Sequence, residues 1–357
     1  MNFYFSNMYD NSPINDFEDL KKRDYFDKVI LHLDSNICIY LRDFYDIPTK
    51  FQSTGNEKIV NELKLFLKSV KENNVEVNYS LGVEESCRNK QNFQINSEKA
   101  MQMIKSIESI LSMDYFQVIE HEKLIKPNNQ SKDFSNLPIS KIDNLEVDSS
   151  FKDVLTIMYA SLLKLYLLDK KSVSIKKHEL MIEYLDFLDE DIDMISPSYI
   201  LLGHYFFSET SKMKKMIHPK KKETIEILQA IWNASIDLCL TVLVPSRMRD
   251  DHQIPIFVTA DEKLHKIISA LQIKAIFDSG EKSMFPPIIE IDLEKVKWNN
   301  EQFRILSDYE RKISSRRKDE YLLLAKYEES YKNKLIENAR GIIKKLEGEI
   351  SEYTLGR

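Results

Sequence analysis

Two short apolar runs, each ending in an aspartate, constrain the fold of this chain most. Val29–Leu33 is followed by Asp34 and a helix-forming stretch, and residues 256–260 are followed by Asp261 and a second such stretch. A continuous apolar run of this length is typical of a strand that is buried on both faces of a parallel sheet. The pattern predicts an α/β fold with a mainly parallel sheet, covered by helices and joined by right-handed crossovers.

Helical periodicity and turn residues divide the rest of the chain into further elements. Apolar residues in 57–73 form a stripe at helical spacing, and Asn73-Asn74 ends it. Ser80 can cap a helix that carries Glu84 and Glu85 in its first turns. Further helices are predicted at 36–45, 97–113, 151–168, 175–188, 198–216 and 223–243, and further strands at 75–79, 115–119, 274–277 and 288–291.

Changes in composition predict three regions. Residues 1–24 are polar and aromatic, which predicts an arm packed on the surface. Residues 25–292 form the central domain, with a mostly helical insertion at about 121–220 that begins with a long surface loop. Residues 293–357 form a highly charged C-terminal helical extension. The insertion either thickens the domain or forms a wall of a substrate groove, and the sequence leaves both alternatives open.

Four acidic positions lie in separate segments where βα units should present them: Asp34, Glu85 (or its neighbour Glu84), Asp237 and Asp261. In open α/β sheets the functional site forms at the carboxyl ends of the strands. Carboxylates that converge there repel one another unless a hard cation neutralises them. The cluster therefore predicts a site for Mg²⁺ or Mn²⁺.

The segments around these acids resemble the PIN domain, the fold of a family of metal-dependent nucleases. Leu33-Asp34-Ser35-Asn36 is similar to the opening of that domain, and Val258-Thr259-Ala260-Asp261 is similar to its closing acidic motif. The other acids follow in the expected chain order. The resemblance covers roughly residues 25–125 and 221–292, a little under half of the chain.

The resemblance implies a PIN-like domain that hydrolyses phosphodiester bonds of nucleic acid, with RNA favoured over DNA. It also implies that Asp34, Glu85, Asp237 and Asp261 are the catalytic residues and the ligands of the Mg²⁺ or Mn²⁺. Glu85 is favoured over Glu84 because residues 82–86 match the family best when the second glutamate is aligned. Neighbours on a helix point about 100° apart, so only one of the two can face the ion.

Three polar residues beside these acids are candidates to orient them. Ser35, Asn36 and Thr259 could hold Asp34, Asp261 or a water on the ion. Ser35 and Asn36 can instead cap the following helix, and capping is also an alternative for Asp34 and Asp261. Asp237 has no such alternative, because an acid inside an apolar helix is costly unless it is paired or bound to metal.

The balance of charge bears on partners. The formal net charge of −6 gives no global attraction to nucleic acid, so a polyanion must meet a local basic surface. A cluster within eleven residues could bind the phosphate backbone, with a solvated helix end as the alternative; it contains Lys212, Lys214, Lys215, Lys220, Lys221 and Lys222. A second basic cluster contains Arg311, Lys312, Arg316, Arg317 and Lys318.

The C-terminal extension carries one narrow stripe at 4-3-4-4-3 spacing, formed by Leu335, Ala339, Ile342, Leu346, Ile350 and Tyr353. The stripe either packs back on the domain or binds another chain, as a homodimer or with a protein partner. A catalytically inert PIN-like scaffold that recruits a partner through this tail is therefore the alternative function. A phosphohydrolase of another α/β family is a third, weakened because Ser-Asn follows Asp34 instead of the DxD pattern.

The sequence lacks the signature motifs of several classes of protein. GxxxxGK[ST], GxGxxG, HExxH and GxSxG are absent, and Cys38, Cys87 and Cys239 are isolated, which predicts core positions instead of a zinc site or disulfides. The seven histidines are scattered, and His265 near Asp261 is predicted to be a helix-surface or core residue more than a ligand. The first residues do not resemble a signal peptide and residues 154–168 are too short to cross a bilayer, which predicts a cytoplasmic protein without membrane contact.

Overall fold

The chain divides into two compact units in a computed structural model. The first unit is Met1–Asp148 with Arg247–Ser269, and the second is Ser149–Ser246 with Ala270–Arg357. This division differs from the predicted domain bounds, since residues 221–246 and 270–292 fall in the same unit as the C-terminal extension. The structure describes residues 3–9, 12–53, 55–88, 95–124, 149–171, 175–208, 223–246, 253–275, 288–292, 296–324 and 329–355.

The described residues are mostly helical. Besides a 3₁₀ turn at Phe26–Lys28 and a π-helix at Phe187–Asp191, the elements in chain order are β1 (Tyr4–Asn7), α1 (Phe17–Lys21), β2 (Val29–Leu33), α2 (Ser35–Asp46), α3 (Pro48–Ser53), α4 (Glu57–Asn73), β3 (Glu76–Asn78), α5 (Ser80–Cys87), α6 (Ser97–Ser112), α7 (Tyr115–Glu122), α8 (Ser149–Lys171), α9 (Lys177–Asp186), α10 (Pro197–Phe207), α11 (Thr224–Ser246), β4 (Ile254–Thr259), α12 (Glu262–Ile268), β5 (Leu271–Ala275), β6 (Ile288–Ile291), α13 (Asn300–Leu324) and α14 (Glu329–Leu355).

The first unit is built around a small mixed sheet with the strand order β1-β4-β2-β3. β2 pairs in parallel with β3 on one side and with β4 on the other, and every residue of β2 and β4 is buried. The continuous apolar runs at 29–33 and 256–259 are thus confirmed as buried parallel strands. β1 pairs antiparallel with β4, so the predicted N-terminal arm supplies an edge strand, which makes the sheet mixed.

Helix α4 follows the predicted stripe, since its apolar residues at 59, 60, 63, 66, 67 and 70 are all buried. It ends at Asn74, whose φ of 52° is a left-handed conformation that asparagine tolerates well. The predicted strand at 115–119 is wrong: these residues belong to α7. Asp114 caps that helix through the backbone N–H of Gln117, and the Gln117 side chain accepts from the backbone N–H of Asp114. This capping box outweighs the β propensity of the aromatic and β-branched residues that follow.

The second unit is built around the long helix α8, on which α11 and α14 pack. Its strands β5 and β6 pair antiparallel as a separate two-stranded sheet, so the prediction that they extend the main sheet is wrong. The apolar stripe of the C-terminal extension lies on α14, and four of its residues are buried: Leu335, Ala339, Leu346 and Ile350. The stripe therefore packs within its own chain.

Residues Thr224–Leu243 of α11 are long and apolar enough to cross a membrane by length and composition alone. Half of that segment is buried in the structure, and core helices of soluble proteins meet the same criteria. The cytoplasmic location stays a prediction.

Candidate functional site

Asp34 lies at the carboxyl end of the central strand β2 and forms the N-cap of α2. Its backbone N–H donates to the carbonyl of Val258 at 2.9 Å, which continues the pairing of β2 with β4 beyond the last residue of β2. The residue is only 2% exposed. A carboxylate is therefore held inside the protein at the edge of the sheet where the sequence predicts the site.

Only neutral groups donate hydrogen bonds to Asp34 among the described contacts. Oδ1 accepts from the backbone N–H of Ser35 at 2.8 Å. Oδ2 accepts from the Asn36 amide at 3.2 Å and from the Thr259 hydroxyl at 2.7 Å. Burial raises the pKa of Asp34 above its ordinary value, against the lowering effect of these donors, and the charge of Asp261 raises it further. The three residues predicted to orient the acids, Ser35, Asn36 and Thr259, thus all donate a hydrogen bond to Asp34.

Glu85 is brought next to Asp34 by a shared hydroxyl. The Ser35 hydroxyl lies 2.7 Å from Oε1 of Glu85, to which it donates, and 3.4 Å from Oδ1 of Asp34. Glu84 behaves differently, because its carboxylate forms a buried ion pair with Arg88 one turn later on the chain. The structure thus directs Glu85, and not Glu84, towards Asp34.

Gly82 allows this approach, and the sequence analysis did not identify it as functional. A Cβ built at Gly82 would lie 2.6 Å from the carbonyl oxygen of Leu33, 2.7 Å from Sγ of Cys38 and 2.9 Å from the carbonyl carbon of Asp34. Since real Cβ atoms do not approach backbone so closely, only glycine lets α5 press against the start of α2. A glycine inside a helix costs about 1 kcal/mol relative to alanine, which is the signal that could have indicated its role.

Asp261 is linked to Asp34 through Thr259. The Thr259 hydroxyl donates to Oδ2 of Asp34 and accepts from the backbone N–H of Asp261 at 2.9 Å. Oδ1 of Asp261 caps α12 by accepting from the N–H groups of Lys263 at 2.7 Å and Leu264 at 3.3 Å. Capping is therefore one real role of both aspartates, and the described contacts of Asp261 leave Oδ2 for other interactions.

The remaining predicted residues either belong to the second unit or fall outside the described residues. Asp237 is partly exposed on α11 of the second unit, which packs on α8 and is not one of the helices of the sheet unit, so its role as a ligand stays a prediction. The predicted nucleic-acid-binding residues lie outside the described residues: Lys214, Lys215, Lys220, Lys221 and Lys222, together with Lys212. In the second basic cluster, Arg316 and Arg317 form ion pairs with Asp189, and Arg311 forms one with Asp308.

The chemistry of the site matches a hard divalent cation. Carboxylates and hydroxyls supply only oxygen atoms, which Mg²⁺ and Mn²⁺ prefer. In the part of the chain that the structure describes, no three acids, histidines or cysteines lie close enough to hold an ion by themselves. Mg²⁺ usually keeps several waters and uses one or two carboxylates. The pair Asp34 and Glu85 therefore fits a partly hydrated ion and not a closed protein cage.

No family model, curated protein or solved structure matches this chain.

Proposed function

We propose that this chain is a PIN-like, metal-dependent nuclease that hydrolyses phosphodiester bonds of nucleic acid, with RNA favoured over DNA. The observation that carries the proposal is the Ser35 hydroxyl, which joins Asp34 and Glu85 from segments fifty residues apart. Thr259 extends this contact to Asp261. Three of the four acids that the resemblance to PIN domains selects are thus connected at the edge of one sheet.

The electrostatics support the same proposal. Two carboxylates around one hydroxyl are stable in their ionised form only when positive charge balances them. The described contacts of Asp34 supply hydroxyl, amide and backbone N–H groups and no lysine or arginine. A divalent cation from solution would provide the missing charge.

Each residue has a distinct part in the proposed reaction. Asp34 and Glu85 would hold the ion, and Asp261 would contribute to it directly or through water. Ser35 and Thr259 fix the directions in which these carboxylates point, and Asn36 holds Oδ2 of Asp34. A bound Mg²⁺ or Mn²⁺ would neutralise charge on the phosphate and make water a stronger nucleophile. Asp237 stays a fourth ligand predicted from the sequence alone.

The alternatives have less support. An inert scaffold that recruits a partner through the tail needs an accessible apolar stripe, whereas most of that stripe is buried in α14. A DxD phosphatase needs a second aspartate at position 36. Asn36 occupies that position and donates its amide to Asp34, which a carboxylate cannot do.

Cleavage of end-labelled single-stranded RNA and DNA tests the proposal, with Mn²⁺, with Mg²⁺ and with EDTA. We expect metal-dependent cutting that Asp34→Asn and Glu85→Gln each lower at least about 100-fold, because even the loss of a residue that supports a metal ligand costs 10- to 100-fold. Glu84→Gln is the matched control on the adjacent residue, and cutting should persist in this variant if its melting temperature shows that it is folded.

Two results would contradict the nuclease. The first is equal activity in wild type and Asp34→Asn, which would point to a contaminating enzyme. The second is no cutting of either polymer together with no uptake of Mn²⁺ by calorimetry, which would favour the inert scaffold. Cutting of RNA but not DNA, or the reverse, would assign the sugar preference.

A further inference from the structure

The N-terminal strand contacts both elements that flank Asp261. Tyr4 of β1 pairs with Thr259, the last residue of β4. Ser6, two residues later and 1% exposed, forms a 2.8 Å hydrogen bond between its Oγ and Nδ1 of His265 on α12. Asp261 lies between these elements, after β4 and before α12. The edge strand β1 therefore contacts both the strand that precedes Asp261 and the helix that follows it.

His265 is half-buried and contacts three groups of this unit. The Tyr4 ring stacks on the imidazole with 5.1 Å between ring centroids and 23° between planes. The hydroxyls of Ser6 and Ser269 lie 2.8 Å and 3.4 Å from Nδ1. The backbone N–H of His265 donates to the carbonyl of Asp261 at 3.0 Å, which forms the first turn of α12. The residue that carries the imidazole thus also closes the turn that Asp261 caps.

We propose that His265 is a positioning residue for Asp261 and that Ser6 and Tyr4 hold it in place as a clamp. The inference rests on the proposed function where it concerns the metal, because only that function makes Asp261, whose direction the clamp fixes, a metal ligand. A helix of seven residues has few contacts of its own to fix its direction. The cap on Lys263 and Leu264 orients Asp261 towards α12, and the clamp orients α12 towards the sheet.

The test uses the full chain with two substitutions in the clamp. Ser6→Ala removes the hydroxyl and leaves the backbone pairing of β1 intact. His265→Phe keeps a ring against Tyr4 but removes Nδ1. Ser106→Ala is the matched control, because Ser106 is also a buried serine of the same unit and donates its hydroxyl to Asp46, outside the clamp. Melting temperatures of all three variants establish that they are folded.

The first readout is the dissociation constant for Mn²⁺ by titration calorimetry. We expect Ser6→Ala and His265→Phe each to weaken binding about tenfold, the lower end of the effect of residues that orient metal ligands. Ser106→Ala should leave the constant within about twofold. Equal weakening by Ser6→Ala and Ser106→Ala would overturn the proposal, because it would show a general loss of stability.

The second readout needs no metal. Hydrogen exchange of the metal-free chain, followed by mass spectrometry, should be faster over residues 261–268 in both clamp variants than in Ser106→Ala, because the amides of Lys263 and Leu264 are capped by Asp261. Unchanged exchange there would overturn the clamp. If wild type takes up no Mn²⁺, the proposed metal function fails, and the exchange result alone decides whether the clamp positions Asp261.

Discussion

Two aspartates, one in each unit, are almost fully buried and have opposite surroundings. Asp34 in the first unit is 2% exposed and Asp189 in the second is 4% exposed. Asp34 accepts hydrogen bonds from a backbone N–H, an amide and a hydroxyl. Asp189 forms ion pairs with Arg316 and Arg317. The second unit thus supplies its buried acid with positive charge, and the described contacts of Asp34 supply none.

The difference separates a buried acid that is paired with cations from a buried acid whose described hydrogen-bond donors are all neutral. A buried carboxylate paired with guanidinium groups is part of the folded structure, and removing it leaves those cations uncompensated. Asp34 instead carries a raised pKa, which means that its ionised form is disfavoured by burial. Within α5, Glu84 pairs with Arg88 and Glu85 accepts a hydrogen bond from the Ser35 hydroxyl.

The largest effect that we expect is the loss of stability on Asp189→Asn. Breaking a buried ion pair by removing one partner typically costs about 3–5 kcal/mol, because the remaining charge is left uncompensated. Both tryptophans, Trp232 and Trp298, lie in the second unit. Urea unfolding followed by tryptophan fluorescence therefore reports on that unit.

The control for this prediction is Asp193→Asn. Asp193 also forms an ion pair with Arg317, at 2.7 Å, but half of its side chain is exposed. An exposed pair contributes only about 0–1 kcal/mol, so this variant should unfold nearly like wild type. A cost below about 1 kcal/mol for Asp189→Asn as well would remove the contrast with Asp34.

Gly82→Ala should have the next largest effect, through the close approach of α5 to the end of β2. The new Cβ would overlap the carbonyl oxygen of Leu33, and overpacking of this kind costs about 1–3 kcal/mol. Gly341→Ala on α14 is the matched control, because nothing lies within 4 Å of its Cβ position. Alanine there should stabilise the helix by up to about 1 kcal/mol.

Both glycine variants are compared by melting temperature and by Mn²⁺ titration. Gly82→Ala should also weaken Mn²⁺ binding, because the relief of the overlap moves Glu85 away from Ser35. A stable Gly82→Ala variant with unchanged Mn²⁺ affinity would show that the spacing of α5 does not matter for the site.

Local patterns predicted the parts of the fold that depend on neighbouring residues. The buried strand Val29–Leu33, the stripe of α4 and the helix beginning after Asp261 all follow from periodicity and capping over a few residues. The pairing of β1 with β4 joins residues about 250 positions apart. No local signal in the short segment 4–7 specifies that partner. The division into two units depends on such distant contacts as well.

The candidate site shows the same limit. The positions of Asp34 and Asp261 at strand ends were predictable because each follows an apolar run, and the contacts of Ser35, Asn36 and Thr259 because they adjoin those acids. The close approach at Gly82 and the hydrogen bond of Ser6 to His265 were not predictable, since each depends on atoms that the residue meets across the fold. The strand predicted at 115–119 failed because aromatic and β-branched composition was weighted above the capping box formed by Asp114 and Gln117.

The smallest expected change is a gain of stability on Asp34→Asn in metal-free buffer. Burial raises the pKa of Asp34 in the folded state, so the folded chain holds this proton more tightly than the unfolded chain. Below the unfolded pKa of about 3.9, both states are protonated and the group has no effect. As the pH rises above that value the unfolded state ionises first, and wild type loses stability until the folded pKa is passed. Asparagine does not titrate and remains a good N-cap.

The advantage of Asp34→Asn should therefore be absent near pH 4 and reach on the order of 1 kcal/mol at pH 7, a size typical of substitutions that relieve strain at a functional site. Calorimetric unfolding of the full chain from pH 4 to pH 8 measures it. Asp114→Asn, the same change at the exposed N-cap of α7, should change the free energy of unfolding by less than about 0.5 kcal/mol.

Adding Mn²⁺ should stabilise wild type and not Asp34→Asn, since a ligand stabilises only the state that binds it. A loss of stability in Asp34→Asn at pH 7 would instead place Asp34 with Asp189, as an acid required by the fold.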